Sequence, residues 1–135
     1  MHRPSLRALG RDHKACPQLR LRVCLDTAHA FTAGYDLREE DGLHAMIQSL
    51  DRTVGAKKVR AIHFNDSRAE YNSRVDRHWH IGEGHIGREA LRRVAQHPKL
   101  AHAAFILETP YKLPEDNLPN INALRSFLDA KRSPS

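Results

Sequence analysis

Three short β-prone runs, residues 21–26, 58–64 and 103–108, each end on or beside a side chain that can bind a metal ion: Asp26, His63 and Glu108. A helical stretch separates each run from the next, and another follows the last. In 37–54, Leu43, Met46, Ile47, Leu50 and Val54 recur at the spacing of one apolar stripe, and Gly55 is placed to cap the end. Residues 88–96 carry Ala90, Leu91 and Val94 on one side, with Pro98 beyond their end. Residues 118–131 turn Ile121, Leu124 and Leu128 inward. This alternation predicts an α/β fold with parallel strands and right-handed crossovers. In such folds ligands bind at the carboxyl ends of the strands.

Three strands cannot close a barrel, and an open parallel sheet that narrow leaves two edges and a face uncovered. A whole (β/α)8 barrel takes about 250 residues. With 135 residues, the chain is either a small α/β layer or part of a larger barrel. Residues 27–36 read as a loop turning at Gly34. Residues 65–87 exceed an ordinary connection, and such loops are usually functional or disordered. Pro4, Gly10 and Pro17 interrupt residues 1–20, so these read as a poorly structured basic segment, followed by one unit over 21–132 and a tail at 133–135.

The formal charge is +6, which favours acidic partners, nucleic acid first. No apolar run approaches the roughly 18 residues of a membrane span, so no membrane partner is expected. Cys16 and Cys24 are not spaced as a Cys-x-x-Cys. Cys24 sits in an apolar run and reads as a small buried hydrophobe, and a reducing, cytoplasmic compartment fits.

Ten histidines make spacing the only guide to which of them bind metal. Asp26 and His29 are three apart at a strand–loop junction, and Asp76 and His78 alternate in a segment that reads as extended. With His63 and Glu108 they form a carboxylate and imidazole set without thiolates, which suits Zn²⁺ or Mn²⁺. His44, His97 and His102 sit on or beside helices and read as structural, whereas His80 and His85 in the long loop are candidates for substrate contact.

Taken together, Val23 to Leu37, Val54-Gly55, His63-Phe-Asn-Asp66, Ser73 to His78, Gly82 to Gly87 and Leu107 to Thr109 resemble the endonuclease IV family of apurinic/apyrimidinic (AP) endonucleases. The family belongs to the xylose isomerase-like TIM barrels. The resemblance implies that the three strands are the last three β/α units of a (β/α)8 barrel, and that the chain is a truncated, C-terminal half. It implies a trinuclear zinc site at the barrel's carboxyl end. Asp26, His63 and Glu108 would share one ion, and His29, Asp76 and His78 would hold another. Two histidines and a bridging glutamate from the family's first barrel half have no counterpart here. The chain would therefore carry ligands for two ions, one of them incomplete.

The implied reaction is hydrolysis of the phosphodiester on the 5′ side of an abasic site in duplex DNA, in base excision repair. Arg68, Arg74 and Arg77 in the long loop would contact DNA phosphates. A half barrel exposes strand edges, so the chain alone is expected to be marginally folded and weakly active or inactive, with the missing barrel half or self-association as its completion. Two other readings share the same ligands: a metal-dependent sugar isomerase or epimerase, and a non-catalytic remnant that binds metal or DNA.

Overall fold

A computed structural model of the protein describes residues 22–132, with side chains through residue 130. The basic segment 1–20 and the tail 133–135 lie outside the described residues. In chain order the elements are β1 (Val23–Asp26), α1 (Thr27–Thr32), α2 (Glu40–Thr53), β2 (Val59–His63), the two-residue strands β3 (Asp66–Ser67) and β4 (His78–Trp79), α3 (Arg88–Ala95), β5 (Ala104–Ile106) and α4 (Leu118–Arg132). β1, β2 and β5 form one parallel sheet in that order, and β3 and β4 form a separate antiparallel pair. The three expected strands and the three expected helices are all present; the strands and the first two of these helices are shorter than expected, and the last helix runs one residue further, to Arg132.

Alternation along the strands decides what each side of the sheet meets. Val23 and Leu25 point into the core with Leu43, Met46, Ile47 and Leu50 of α2. Each of these buried aliphatic side chains contributes roughly 1.5–3 kcal/mol. On β2 the buried residues Val59 and Ile62 are three apart. The register slips by one between Val23↔Val59 and Cys24↔Ala61, leaving Arg60 as an extra residue. Among the described residues, the opposite sheet face carries no helix. Cys24 is consequently exposed, and the sequence expectation of a buried thiol is corrected: a period of two sends it away from Val23 and Leu25. Ile106 is exposed on β5.

Phe64, fully buried just beyond β2, locks the sheet to the last helix. Its ring packs edge-on against Phe105 at 5.7 Å and Phe127 at 6.3 Å. Ala123, Leu124 and Phe127 are buried on α4, whereas Ile121 and Leu128 are only half-buried.

Two connections are more ordered than their composition suggests. The expected loop 27–36 opens as the helix α1, because the Asp26 side chain accepts a hydrogen bond from His29 N–H at 2.9 Å and caps the first turn. Residues 65–87 are organised by the buried carboxylate of Asp66. Its Oδ1 accepts from the backbone N–H groups of Ser67 (2.8 Å) and Ile86 (2.9 Å). Its Oδ2 accepts from Gly82 (3.0 Å) and Gly84 (3.1 Å). Gly87 N–H lies 3.3 Å from both oxygens. A Cβ on Gly84 would stand 2.4 Å from Ser67 O and 2.6 Å from Asp66 Oδ1, so only glycine lets the chain close on the acid.

Asp66→Asn turns an acceptor oxygen into a donor facing these N–H groups. It is expected to cost roughly 3 kcal/mol, because hydrogen bonds to a charged group are the strong ones and buried mismatched donors are penalised. Urea unfolding midpoints of the two proteins check this, and an equal midpoint would show that the acid is dispensable.

Candidate metal centre

All six expected ligand side chains lie at one edge of the sheet. Asp26 and His63 close β1 and β2 and are paired across the ladder. Glu108 follows β5 by two residues, His29 lies in α1, and Asp76 and His78 come from the return arm of the hairpin formed by β3 and β4. His63 Nδ1 is 2.6 Å from Glu108 Oε1 and 3.9 Å from Asp26 Oδ2. Asp26 Oδ2 is 3.1 Å from His78 Nε2, which is 3.6 Å from Asp76 Oδ1. Asp76 Oδ2 is 3.9 Å from His29 Nδ1. The six form one unbroken cluster. The two ligand sets read from the sequence touch through Asp26 and His78, and the most compact triangle, Asp26, His78 and Glu108, mixes them, with ligand atoms within 4.8 Å of one another.

The donor chemistry of this triangle fits a cation. His78 Nδ1 lies 3.3 Å from the Glu108 carbonyl oxygen, which can only accept, so Nδ1 carries the proton. In a neutral imidazole Nε2 then presents a lone pair to the Asp26 carboxylate. Two such groups at 3.1 Å require a proton or a metal ion between them. The carbonyl behind His78 is the kind of partner that orients a ligating imidazole. Burial pushes the Asp26 carboxyl above its ordinary range and neighbouring Asp76 adds to this, against the opposing His29 N–H bond and the His78 and His63 imidazoles. Partial desolvation, with the Asp26 and Glu108 carboxylates nearby, also raises the thiol of Cys24, exposed as it is.

The hairpin arms rim the cluster. Tyr71 Oη donates to Gly34 O at 3.2 Å, and the backbone N–H groups of Asn72 and Arg74 reach Phe31 O (3.3 Å) and Thr32 O (3.0 Å). Asn72 and Arg74 adopt positive φ angles of 59° and 67° to do so. Arg74 lines a cavity of about 180 Å³ with His29, Thr32, Ala33 and Asp76. Arg68 stacks over the Trp79 ring at 4.6 Å, and Arg77 is exposed. Of the two loop histidines, His80 meets the Asn120 amide at 3.0 Å through Nδ1, and His85 is exposed. His102 Nε2 lies 2.9 Å from Val59 O, away from the cluster.

Sequence reading missed the residues that hold this edge together: Thr27, Asn65, Asp66 and Asn120, all buried. Asn120 on α4 accepts Ile81 N–H at 2.8 Å and donates to Thr109 Oγ1 at 3.2 Å, tying the segment after His78 to the one after Glu108. Thr27, Asn65 and Asp66 fall inside the blocks Val23 to Leu37 and His63 to Asp66 without a role being read for them, and Asn120 sits in a helical stretch with no distinguishing signal.

Parallel strands, helices on one face and acids and imidazoles at the strand carboxyl ends define part of a (β/α) barrel. The family model described as Xylose isomerase-like TIM barrel matches residues 12–130, and the chain belongs to that family. Within it, the chain is similar to proteins called probable endonuclease 4. One from Methanosphaerula palustris is 44% identical over 118 residues, covering 87% of this chain and 41% of the relative. One from Chloroflexus aggregans is 48% identical over 111 residues, covering 81% of this chain and 38% of the relative. The solved structure of endonuclease IV from Thermus thermophilus aligns with a TM-score of 0.78 at 41% identity, over 94% of this chain and 45% of that one. The chain thus spans less than half the length of the relatives it matches, and its sheet is a partial barrel.

In the ion-free folded chain the Asp26 proton is held more tightly than in the unfolded chain. At neutral pH its buried charge works against folding, and that penalty fades as pH falls through the raised folded-state pKa and is gone below the unfolded-state pKa. Asn at this position keeps the cap on α1 and removes the charge. Asp26→Asn is expected to raise the melting temperature of the ion-free chain at pH 7 and to flatten its acid-side dependence. A lower melting temperature would mean that His63 and His78 already compensate the charge.

Proposed function

We propose that this chain forms the ligand-bearing part of a zinc-dependent endonuclease that hydrolyses the phosphodiester on the 5′ side of an abasic site in duplex DNA, in base excision repair. The observation that carries this reading is the convergence of Asp26, Asp76, Glu108, His29, His63 and His78 on one edge, with contacts between 2.6 and 3.9 Å. The names of its relatives supply the substrate class.

The carboxylates of Asp26, Asp76 and Glu108 and the three imidazoles would hold the ions. Zinc fits this nitrogen and oxygen set, and manganese is the alternative. When bound, such ions supply Lewis acidity toward the phosphodiester and an acidified water at neutral pH. Asp26 serves the edge twice, capping α1 with Oδ1 and facing His63 and His78 with Oδ2. The proton on His78 Nδ1 fixes that ring's orientation. Arg74 and Arg77 on the rim, with Arg68 stacked behind them on Trp79, would meet DNA phosphates. Such contacts position the duplex and weaken with salt. Full activity is assigned to a barrel completed by residues beyond these three β/α units. The compartment fitting this role and the sparse cysteines is the cytoplasm.

The test is a duplex carrying a single abasic site, incubated with the chain alone and with the complementary part of a full-length relative, with and without chelator. Expected is a nick on the 5′ side of the lesion that leaves a 3′-hydroxyl and is abolished by chelation. Equal treatment of abasic and intact duplexes, or cleavage indifferent to chelator, would overturn the reading. In parallel, His78→Ala is expected to lower zinc by about one ion per chain, measured by elemental analysis.

A further inference from the structure

We infer that Asn65 is a positioning residue that spaces the candidate metal ligands by extending the sheet past its last backbone rung, an inference that rests on the metal reading above. Backbone pairing ends at Asp26↔His63 between β1 and β2 and at His63↔Ile106 between β2 and β5. The final ladder contact is Phe64 N–H to Ile106 O at 2.7 Å. Glu108 lies beyond it. A ligand outside the ladder needs another anchor if its carboxylate is to stay against His63.

Asn65 supplies that anchor on both sides. Toward β1, its backbone N–H donates to Thr27 Oγ1 at 2.9 Å and its carbonyl accepts from the same hydroxyl at 2.6 Å. Thr27 immediately follows Asp26. Toward β5, its Oδ1 accepts the Glu108 N–H at 2.8 Å. His78 Nδ1 donates to the Glu108 carbonyl at 3.3 Å, so the Glu108 backbone is gripped at both its N–H and its C=O. One fully buried residue thereby connects the residue after Asp26, the segment after His63 and Glu108 itself.

The chemistry selects asparagine. The position requires an acceptor for an amide N–H, which leucine of similar size lacks. A carboxylate would accept equally well but would add charge beside Asp66, at an edge already carrying Asp26 and Glu108. The Nδ2 of Asn65 is buried and has no hydrogen-bond partner among the described residues. That unpaired donor carries a desolvation penalty, so the side chain is held for its oxygen.

Cobalt(II) titration of the full chain, followed by visible absorption, tests this without DNA. Asn65→Leu is expected to weaken cobalt binding by about tenfold or more and to alter the absorption band, as loss of groups that orient ligands does. Leu91→Ala, a core truncation on α3, should leave the affinity within about twofold. Asn65→Leu binding within twofold of native with an unchanged band would overturn the inference. So would an equal loss in Leu91→Ala, which would reduce Asn65 to general fold stability. If Asn65→Leu does not fold, Thr27→Val decides instead: it removes the hydroxyl bridge and is expected to weaken binding several-fold, and native affinity there overturns the inference. Absence of saturable cobalt binding by the native chain would sink the metal reading and this inference together. Native binding with unaltered variants would sink this inference alone.

Discussion

The rung that joins Asp26, His63 and Ile106 across the parallel sheet fixes where the candidate ligands gather. Because side chains alternate along a strand, a slip of one residue in either pairing would send Asp26 or His63 to the helix face and bring an apolar neighbour to the cluster. The core side chains Val23, Leu25, Val59 and Ile62 hold that register by burying themselves on the opposite face. Core packing and ligand placement are thus one constraint seen from two sides. The slip at Arg60 lies at the amino ends of the strands, so the final rung stays paired.

Asp26 shows what the cluster demands of the fold. The carboxylate is partly withdrawn from water, and its proton affinity rises accordingly. The His29 N–H bond and the flanking His78 and His63 imidazoles offset only part of that burden. Sites that gather several acids tend to oppose folding until a counter-ion enters. The one-sided sheet adds to this, because the face that carries Cys24 and Ile106 has no layer packed on it among the described residues.

Much of the framework was legible in the sequence. The stripe Leu43, Met46, Ile47, Leu50 announced α2, and the three β-prone runs ending in polar residues announced the sheet and the edge where those residues gather. What escaped was set by tertiary context. The Asp-x-x-His spacing at 26 and 29 read as a loop because six residues of helix are too few for a periodic signal, although the capping acid was in plain view. Cys24 looked buried because an apolar run does not reveal which face will be covered. Residues 65–87 read as an overlong loop, yet one carboxylate gathers five of their N–H groups, and no local pattern foretells a long-range acceptor. Asn65 and Asn120 were invisible for the same reason: an amide that bridges distant backbone looks no different in sequence from one on a surface loop.

The hairpin between Ser67 and His78 is pinned to the end of α1 mainly through its main chain, by the N–H groups of Asn72 and Arg74 on the carbonyls of Phe31 and Thr32. Attachment of that kind is largely indifferent to the identity of the exposed tip side chains. Val75 faces solvent, and Tyr71 contributes one hydroxyl bond and a ring contact with Phe31. The tip can therefore be re-lettered by mutation while Asp76 and His78 stay where they are. Such a separation lets the tip change between lineages without moving the cluster.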